Sequence, residues 1–395
     1  MRIRICRALT VVLALLVMYP VAAPALDNGL ARTPPMGWNS WNKFACAGLN
    51  EQVIRETADI IASNGMKDAG YEYVNLDDCW QISRDASGNI VPDPSKFPSG
   101  IKALADYVHS KGLKIGLYTD VGTNTCAGRP GSAGHEYQDA KQYAAWGIDY
   151  VKVDWCHTFP GQNAEASYTL FRDAIAASGR PMVFSICEWG SNKPWLWAGP
   201  VGNLSRSTDD IQDCWSCKRT WGGNGVVQII DLMNNIWMYS GPGHWNDPDM
   251  LEVGNGGLTT EEDRAHFSMW ALFSAPLLVG TDLSHMSDAT KSILLNKEVI
   301  AIDQDPLGIQ GHRVKKDGDL EVWSKQLANG GRAVVLFNRS ASAAPIAVDW
   351  TDIGYPNSIS ATVHDLWSGK TTTDQKGSYS AQVPSHGVVM VTVMP

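Results

Sequence analysis

Between about residue 27 and residue 302 the chain alternates short apolar, β-branched runs with longer stretches in which apolar residues recur every three or four positions. Extended runs of this kind predict strands and the 3.6-residue period predicts helices, so the alternation predicts βαβ units around a parallel sheet. The strand candidates are residues 36–38, 71–77, 114–120, 149–154, 182–188, 204–210, 244–249 and 276–280, with helical periodicity at 51–68, 101–111, 164–178, 226–239 and 260–273. Eight alternations predict closure into a (β/α)8 TIM barrel. After Asp303-Gln-Asp-Pro306 the texture changes to short alternating runs at 320–324, 333–338, 343–348, 360–365, 379–383 and 387–393, separated by Gly, Asn, Asp and Ser. This predicts a small C-terminal antiparallel β-sandwich. No repeat, low-complexity tract or flexible linker intervenes, so the two domains are expected to pack firmly together.

The N-terminus has a different texture. Met1-Arg-Ile-Arg-Ile-Cys-Arg7 precedes an apolar run over 8–21 and then Ala23-Pro24-Ala25. A basic start, a short apolar stretch and small residues at a cleavage site describe a secretory signal, and the run is short for a bilayer span. The expected division is therefore signal peptide 1–25, barrel 26–305 and β-domain 306–395. The mature protein is expected to be secreted or periplasmic, with no membrane association after cleavage.

Composition narrows the function. A formal charge of −9 over 395 residues argues against nucleic acid, which demands clustered Lys and Arg to neutralise phosphates. A neutral substrate is compatible. The 16 Trp are numerous for this length; their flat faces suit stacking on sugar rings, though Trp also fills cores. Removing Cys6 with the signal leaves seven cysteines, so at least one thiol stays free in a compartment that permits disulfides.

The chemistry lies at the strand ends. Asp77-Asp78, Tyr118 with Asp120, Lys152 with Asp154, Glu188, Arg206 with Asp210, and Asp247 with Asp249 all follow apolar runs. Barrel enzymes carry their catalytic groups at that end of the strands. A lone aspartate there could simply cap the next helix, but acids at so many strand ends exceed what capping requires. Cleaving a glycosidic bond with retention needs two carboxyl groups roughly 5–5.5 Å apart, one attacking the anomeric carbon and one protonating the leaving oxygen. In Tyr150-Val-Lys-Val-Asp-Trp-Cys156, strand alternation puts Lys152 and Asp154 on one side. There the ammonium either keeps a nucleophilic carboxylate ionised or forms a plain ion pair. In Ser205-Arg-Ser-Thr-Asp-Asp-Ile211, burial or the neighbouring Asp209 and Asp213 are expected to raise Asp210 into the range of a general acid. The same three acids could hold calcium, although the Gly-and-Glu pattern of a calcium loop is missing.

Seven blocks then carry a specific resemblance. They are Pro35-Met-Gly-Trp-Asn-Ser-Trp41, Asn75-Leu-Asp-Asp-Cys-Trp80, Gly116-Leu-Tyr-Thr-Asp120, Tyr150-Val-Lys-Val-Asp-Trp-Cys156, Cys187-Glu-Trp189, Trp245-Asn-Asp-Pro-Asp-Met250 and Ala301-Ile-Asp-Gln-Asp-Pro-Leu-Gly308. In this order, from Pro34 to the C-terminus, the chain resembles glycoside hydrolase family 27, the α-galactosidases and α-N-acetylgalactosaminidases. The resemblance implies retaining hydrolysis of terminal α-D-galactosyl residues from oligosaccharides, galactomannans or glycoconjugates, with no cofactor and no metal. It implies Asp154 as nucleophile and Asp210 as acid/base. It further implies Asp77, Asp78 and Lys152 on the 3-, 4- and 6-hydroxyls, Glu188 and Arg206 on the 2-hydroxyl side, and Trp41, Tyr118, Trp189 and Met250 as the apolar wall. Disulfides Cys46–Cys79 and Cys126–Cys156 are implied likewise, while Cys187, Cys214 and Cys217 depart from the animal pattern, Cys214 and Cys217 being close enough in sequence to bridge. Glu188 and Trp189 favour galactose over N-acetylgalactosamine, and Asp77-Asp78 argues against β-L-arabinopyranosides. The competing readings outside this activity are a non-catalytic galactose-binding barrel and a metal-dependent hydrolase.

Overall fold

The computed structural model describes residues 25–220 and 222–395. The expected signal segment lies outside these residues except for Ala25. Eight parallel strands form the barrel: β1 (Met36–Asn39), β2 (Tyr73–Asn75), β3 (Lys114–Asp120), β4 (Tyr150–Asp154), β5 (Val183–Ile186), β6 (Leu204–Arg206), β7 (Trp245–Asp247) and β8 (Leu277–Val279). From β1 to β7 each pairs with its sequence neighbour, and β8 returns to β1. The gap between β7 and β8 is bridged by Leu251, which pairs with Val279 and exchanges backbone hydrogen bonds with Leu278 (2.8 Å) and Gly280 (2.9 Å). Close strand contact requires glycine at one place in β1, where a Cβ on Gly37 would sit 2.4 Å from the Tyr73 carbonyl oxygen.

The crossovers are α1 (Glu51–Ser63), α2 (Gly100–Ser110), α3 (Glu136–Trp146), α4 (Ala164–Ala177), α5 (Val226–Met233) and α6 (Thr260–Phe273). Only a 3-10 turn, Pro194–Leu196, connects β5 to β6. Two helical runs are shorter than periodicity suggests. The run expected over 51–68 is split where Gly65 takes φ +99°, and the run expected over 226–239 stops at Met233 before a 3-10 turn, Trp237–Tyr239. Strand residues of one parity, including Trp38, Val74, Ile115, Val151 and Phe184, join the helices in one apolar layer. Residues of the other parity, Tyr73, Tyr150, Val183, Leu204, Trp245 and Leu278, form a separate core that plugs the barrel.

The C-terminal strands are β9 (His312–Asp317), β10 (Leu320–Gln326), β11 (Arg332–Asn338), β12 (Ala344–Asp349), β13 (Ser360–Asp365), β14 (Thr371–Lys376), β15 (Ser378–Val383) and β16 (Val388–Met394). Six form an antiparallel sheet in the order β9-β10-β11-β16-β13-β14, and β12 pairs with β15. Strict alternation serves both faces of this sheet. Val322, Val334, Leu336 and Val391 pack towards Ile346 and Val348 of the second layer, whereas Trp323, Val335, Phe337 and Met390 join the apolar layer of the barrel. β9 and β14, absent from the sequence reading, are the two edges of the large sheet; their side chains are mostly polar and none is fully buried, so they carry no apolar alternation to read.

Candidate active site

The parity that fills the barrel with Tyr73, Tyr150, Leu204 and Trp245 continues two residues on as Asn75, Lys152, Arg206 and Asp247, and then as Asp77, Asp154 and Asp249. An apolar plug therefore gives way, layer by layer, to charged side chains at the C-terminal mouth. They surround a cavity of about 570 Å³, a usual size for a small-molecule site. Trp41, Asp77, Asp78, Tyr118, Lys152, Asp154, Trp189, Arg206, Asp210 and Met250 all line it.

Asp154 lies at the end of β4, almost wholly buried. Its Oδ2 accepts from the Tyr118 hydroxyl (2.8 Å) and its Oδ1 from the Trp155 amide (2.9 Å), so the carboxyl group is held from two directions. Burial pushes its pKa up to about 6, with Lys152 opposing and the charge of Asp210 adding to the rise. The Lys152 ammonium pairs with Asp77 (2.8 Å) rather than with Asp154. Asp77 also accepts from Asn39 (2.9 Å) and the Asp78 amide (2.9 Å); Asp78 accepts from the amides of Cys79 (2.6 Å) and Ala127 (2.9 Å). The bridges Cys46–Cys79 and Cys126–Cys156 thus adjoin the acids of the mouth, and a third bridge joins Cys214 to Cys217. Among the described residues Cys187 is the free cysteine; it is buried, and Arg206 Nη1 points to its sulfur at 3.7 Å.

Asp210 stands on the loop beyond β6, with its side chain 43% exposed. Arg206 Nη2 reaches both Asp210 (2.9 Å) and the buried Asp249 (2.8 Å). The expectation that surroundings raise Asp210 is not met. Although burial acts upwards, the guanidinium of Arg206 outweighs it and holds the carboxyl group below its ordinary range; the raised members of the cluster are Asp209, through burial and the charge of Asp210, and Asp249, at about 6, chiefly through burial.

Glu188 is not among the lining residues. On β5 the inward parity is Val183, Ser185 and Cys187, so Glu188 faces the other way. It is fully buried, its Oε2 accepts from the amide (2.6 Å) and side chain (2.8 Å) of Asn192, and burial pushes its pKa up to about 7. Several lining residues escaped the sequence reading. Asp249 was visible as a strand-end acid, but nothing in the sequence pointed to Glu252, which joins Asn42 and Asn255 through hydrogen bonds of 2.5 Å each. Asp120 lies just outside the cavity, pinned by the amides of Gly122 (2.6 Å) and Cys156 (2.8 Å), with burial and the charge of Asp154 raising it to about 9. Asp120 and Asp154 also approach Cys126 and Cys156, but those two sulfurs are bonded to each other and offer no thiolate to a metal. Left-handed backbone gathers at this mouth: Ala45 (φ +44°), Trp189 (φ +58°) and Asp249 (φ +84°) all line the cavity. Strained non-glycine conformations of this kind concentrate where a site must be held in one arrangement.

A closed barrel whose mouth sets paired carboxyl groups, fixed cations and an aromatic wall around one cavity defines a glycoside hydrolase. Residues 33–305 match the family described as Alpha galactosidase A, and residues 317–393 match the Alpha galactosidase C-terminal beta sandwich domain. The chain is 50% identical to alpha-galactosidase A of Cellvibrio japonicus over 408 residues, covering 100% of both chains. It is 51% identical to an alpha-galactosidase of Cyamopsis tetragonoloba over 379 residues, covering 95% of this chain and 90% of that one. The crystal structure of alpha-galactosidase I from Mortierella vinacea superposes with a TM-score of 0.91 at 40% identity, covering 93% of this chain and 98% of that one. The chain belongs to the α-galactosidase (melibiase) family, glycoside hydrolase family 27, and its activity is that of an α-galactosidase.

Proposed function

We propose that hydrolysis proceeds by double displacement, with Asp154 attacking the anomeric carbon and Asp210 donating the proton to the departing oxygen. Asp210 then takes a proton from water as that water opens the galactosyl-enzyme. The observation that carries this reading is the unequal placement of two acids around one cavity. Asp154 is buried and held by Tyr118 and Trp155, as a nucleophile that must meet one atom requires. Asp210 is half exposed, where a leaving group departs and water enters. Arg206 favours the ionised form of Asp210 while burial raises Asp154, so donation requires the proton shared by the pair to sit on Asp210 as the leaving oxygen meets it.

Asp77, Asp78 and Lys152 form a connected group of acceptors and a donor for the galactose hydroxyls, and an epimer that failed to reach them would leave buried polar atoms unpaired. Arg206, held by Asp210 and Asp249 at the cavity wall, turns its guanidinium to the 2-hydroxyl side of the sugar. Trp41, Tyr118, Trp189 and Met250 supply the apolar wall, and Glu188 acts from behind the wall rather than on the sugar. The substrates are terminal α-D-galactosides of oligosaccharides, galactomannans or glycoconjugates. The chain is exported by its N-terminal 25 residues to the periplasm or the exterior, and works as a barrel (26–305) carrying a β-domain (306–395). Among the described residues no helix is long and apolar enough to cross a membrane.

The test is turnover of nitrophenyl α-galactoside followed by NMR. The expected first product is α-galactose, with activity on the α-N-acetylgalactosaminide and β-L-arabinopyranoside at least about tenfold weaker in kcat/KM. Initial release of β-galactose would overturn the double displacement.

A further inference from the structure

We propose that the C-terminal β-sandwich positions the acid/base, by gripping through Trp215 the loop that presents Asp210. The inference rests on the assignment of Asp210 made above.

Asp210 has little of its own to hold it. Its side chain meets Arg206 and is otherwise open, whereas Asp154 is fixed by its neighbours. The placement of Asp210 is therefore set by its loop, and that loop is tightly knit. The Asn224 amide donates to the Asp210 carbonyl (2.9 Å), the Gln212 amide to the Asn224 carbonyl (2.8 Å), and the Ile211 amide to the Asp249 carboxylate (2.8 Å). Cys214 is bridged to Cys217, and the Val227 amide, in the first turn of α5, donates to the Trp215 carbonyl (3.0 Å). A displacement at Trp215 reaches Asp210 through five residues with few soft joints.

The Trp215 side chain leaves the barrel and enters the β-domain. Its ring stacks on His386, with centroids 5.2 Å apart and planes 20° apart, and meets the edge of Phe337 at 5.7 Å and 78°. Both partners are themselves fixed. Phe337 is fully buried in β11, and His386, at φ +50°, bonds through Nδ1 to Glu262 of α6 (2.8 Å). The same connection between β6 and β7 is gripped twice more. Arg339 takes Asp231 of α5 with two bonds of 2.8 Å, and Trp237 stacks on His312 at 4.4 Å. Asp154 is held by Tyr118 and Trp155 of the barrel and, among the described residues, has no such tether to the β-domain, so the acid side of the reaction is the one expected to depend on that domain.

A general acid matters in proportion to how poorly the leaving group departs unaided. The full-length enzyme is assayed on an α-1,6-linked galactosyl disaccharide, which requires proton donation, and on 2,4-dinitrophenyl α-galactoside, which does not. Trp215→Ala should lower kcat/KM on the disaccharide about tenfold or more while changing it on the dinitrophenyl substrate less than about twofold. Trp215→Phe, which keeps a ring against His386, should recover most of the loss, and His386→Ala should show the same selectivity more weakly. Asp210→Asn is the reference, with the same pattern in extreme form. Should Trp215→Ala fail to fold, His386→Ala is read in its place. Equal losses on both substrates in the folded Trp215 or His386 variants, or no loss, would overturn the inference. Equal losses in Asp210→Asn would instead overturn the assignment of the acid.

Discussion

In the proposed mechanism the site turns on two carboxyl groups whose protonation is linked by their mutual charge. Asp154, the proposed nucleophile, is pushed up to about 6 mainly by burial and must be ionised to attack, so on the 2,4-dinitrophenyl substrate, which needs no proton from Asp210, kcat/KM is expected to fall as pH drops through about 6. Part of that rise comes from the charge of Asp210. In Asp210→Asn, assayed on the dinitrophenyl substrate that needs no acid, the same acidic limb should move to lower pH; a limb that stays in place or rises would contradict the linkage. Stability should respond in the opposite sense to activity. A carboxyl group whose folded pKa lies above its ordinary 3.8 destabilises the fold above the folded value, and this cost disappears as pH falls below the ordinary one. Asp154→Asn should therefore bind galactose without turning substrate over. It should also melt a few degrees higher than the parent above pH 6, by on the order of 2 kcal/mol, with the difference closing towards pH 4. Thermal melts across that range, with calorimetric galactose titration, check both halves.

At the scale of elements, strand parity decides which residue reaches the cavity and loops decide how it is held. Parity brings Lys152 and Asp154 in from β4, and the same rule turns Glu188 away while Cys187 points inward. The rule was available in the sequence; applying it to β5 needed the register, which an apolar run of seven residues does not give. The strands supply direction, but Asp78 depends on the loop around Cys126, through the Ala127 amide. Replacing Cys126 and Cys156 by Ser opens a link between residues 30 apart in sequence, worth roughly 3 kcal/mol of loop entropy, and frees that amide. The double variant is expected to lose melting temperature and to raise KM several-fold with a smaller change in kcat, since it disturbs sugar binding before chemistry.

Across the whole molecule the barrel and the β-sandwich share one apolar layer, sealed at its edge by charge. Glu321 is fully buried and receives Arg313 (2.9 Å), Lys316 (2.9 Å), Arg339 (3.0 Å) and the Trp323 indole (2.8 Å), while Arg339 and Arg313 reach across to Asp231 of α5. Removing this one anion leaves cations facing each other over a buried position. Glu321→Gln should cost about 3 kcal/mol or more, and calorimetry should show the barrel and the β-domain losing stability together rather than in two separate steps. Two well-separated transitions, with the barrel unaffected, would show that the domains are energetically independent.

Periodicity alone declared a barrel followed by a β-domain, because eight alternations of apolar run and amphipathic helix bury their faces well in few other ways. Composition set aside nucleic acid, and the strand-end acids marked the mouth. Edge strands β9 and β14 were invisible because mostly polar strands leave no apolar signature. Other matters depended on burial and on which groups the closed fold brings together. Lys152 chose Asp77 over Asp154, Arg206 drew Asp210 down against the effect of burial, Leu251 bridged the last gap in the barrel, and the β-domain took hold of Trp215. Which side chain faces inward is a local property of strand geometry and can be read along the chain. Which charge it meets there is a property of the closed barrel, where Lys152 and Asp77, 75 positions apart, come within a hydrogen bond of one another.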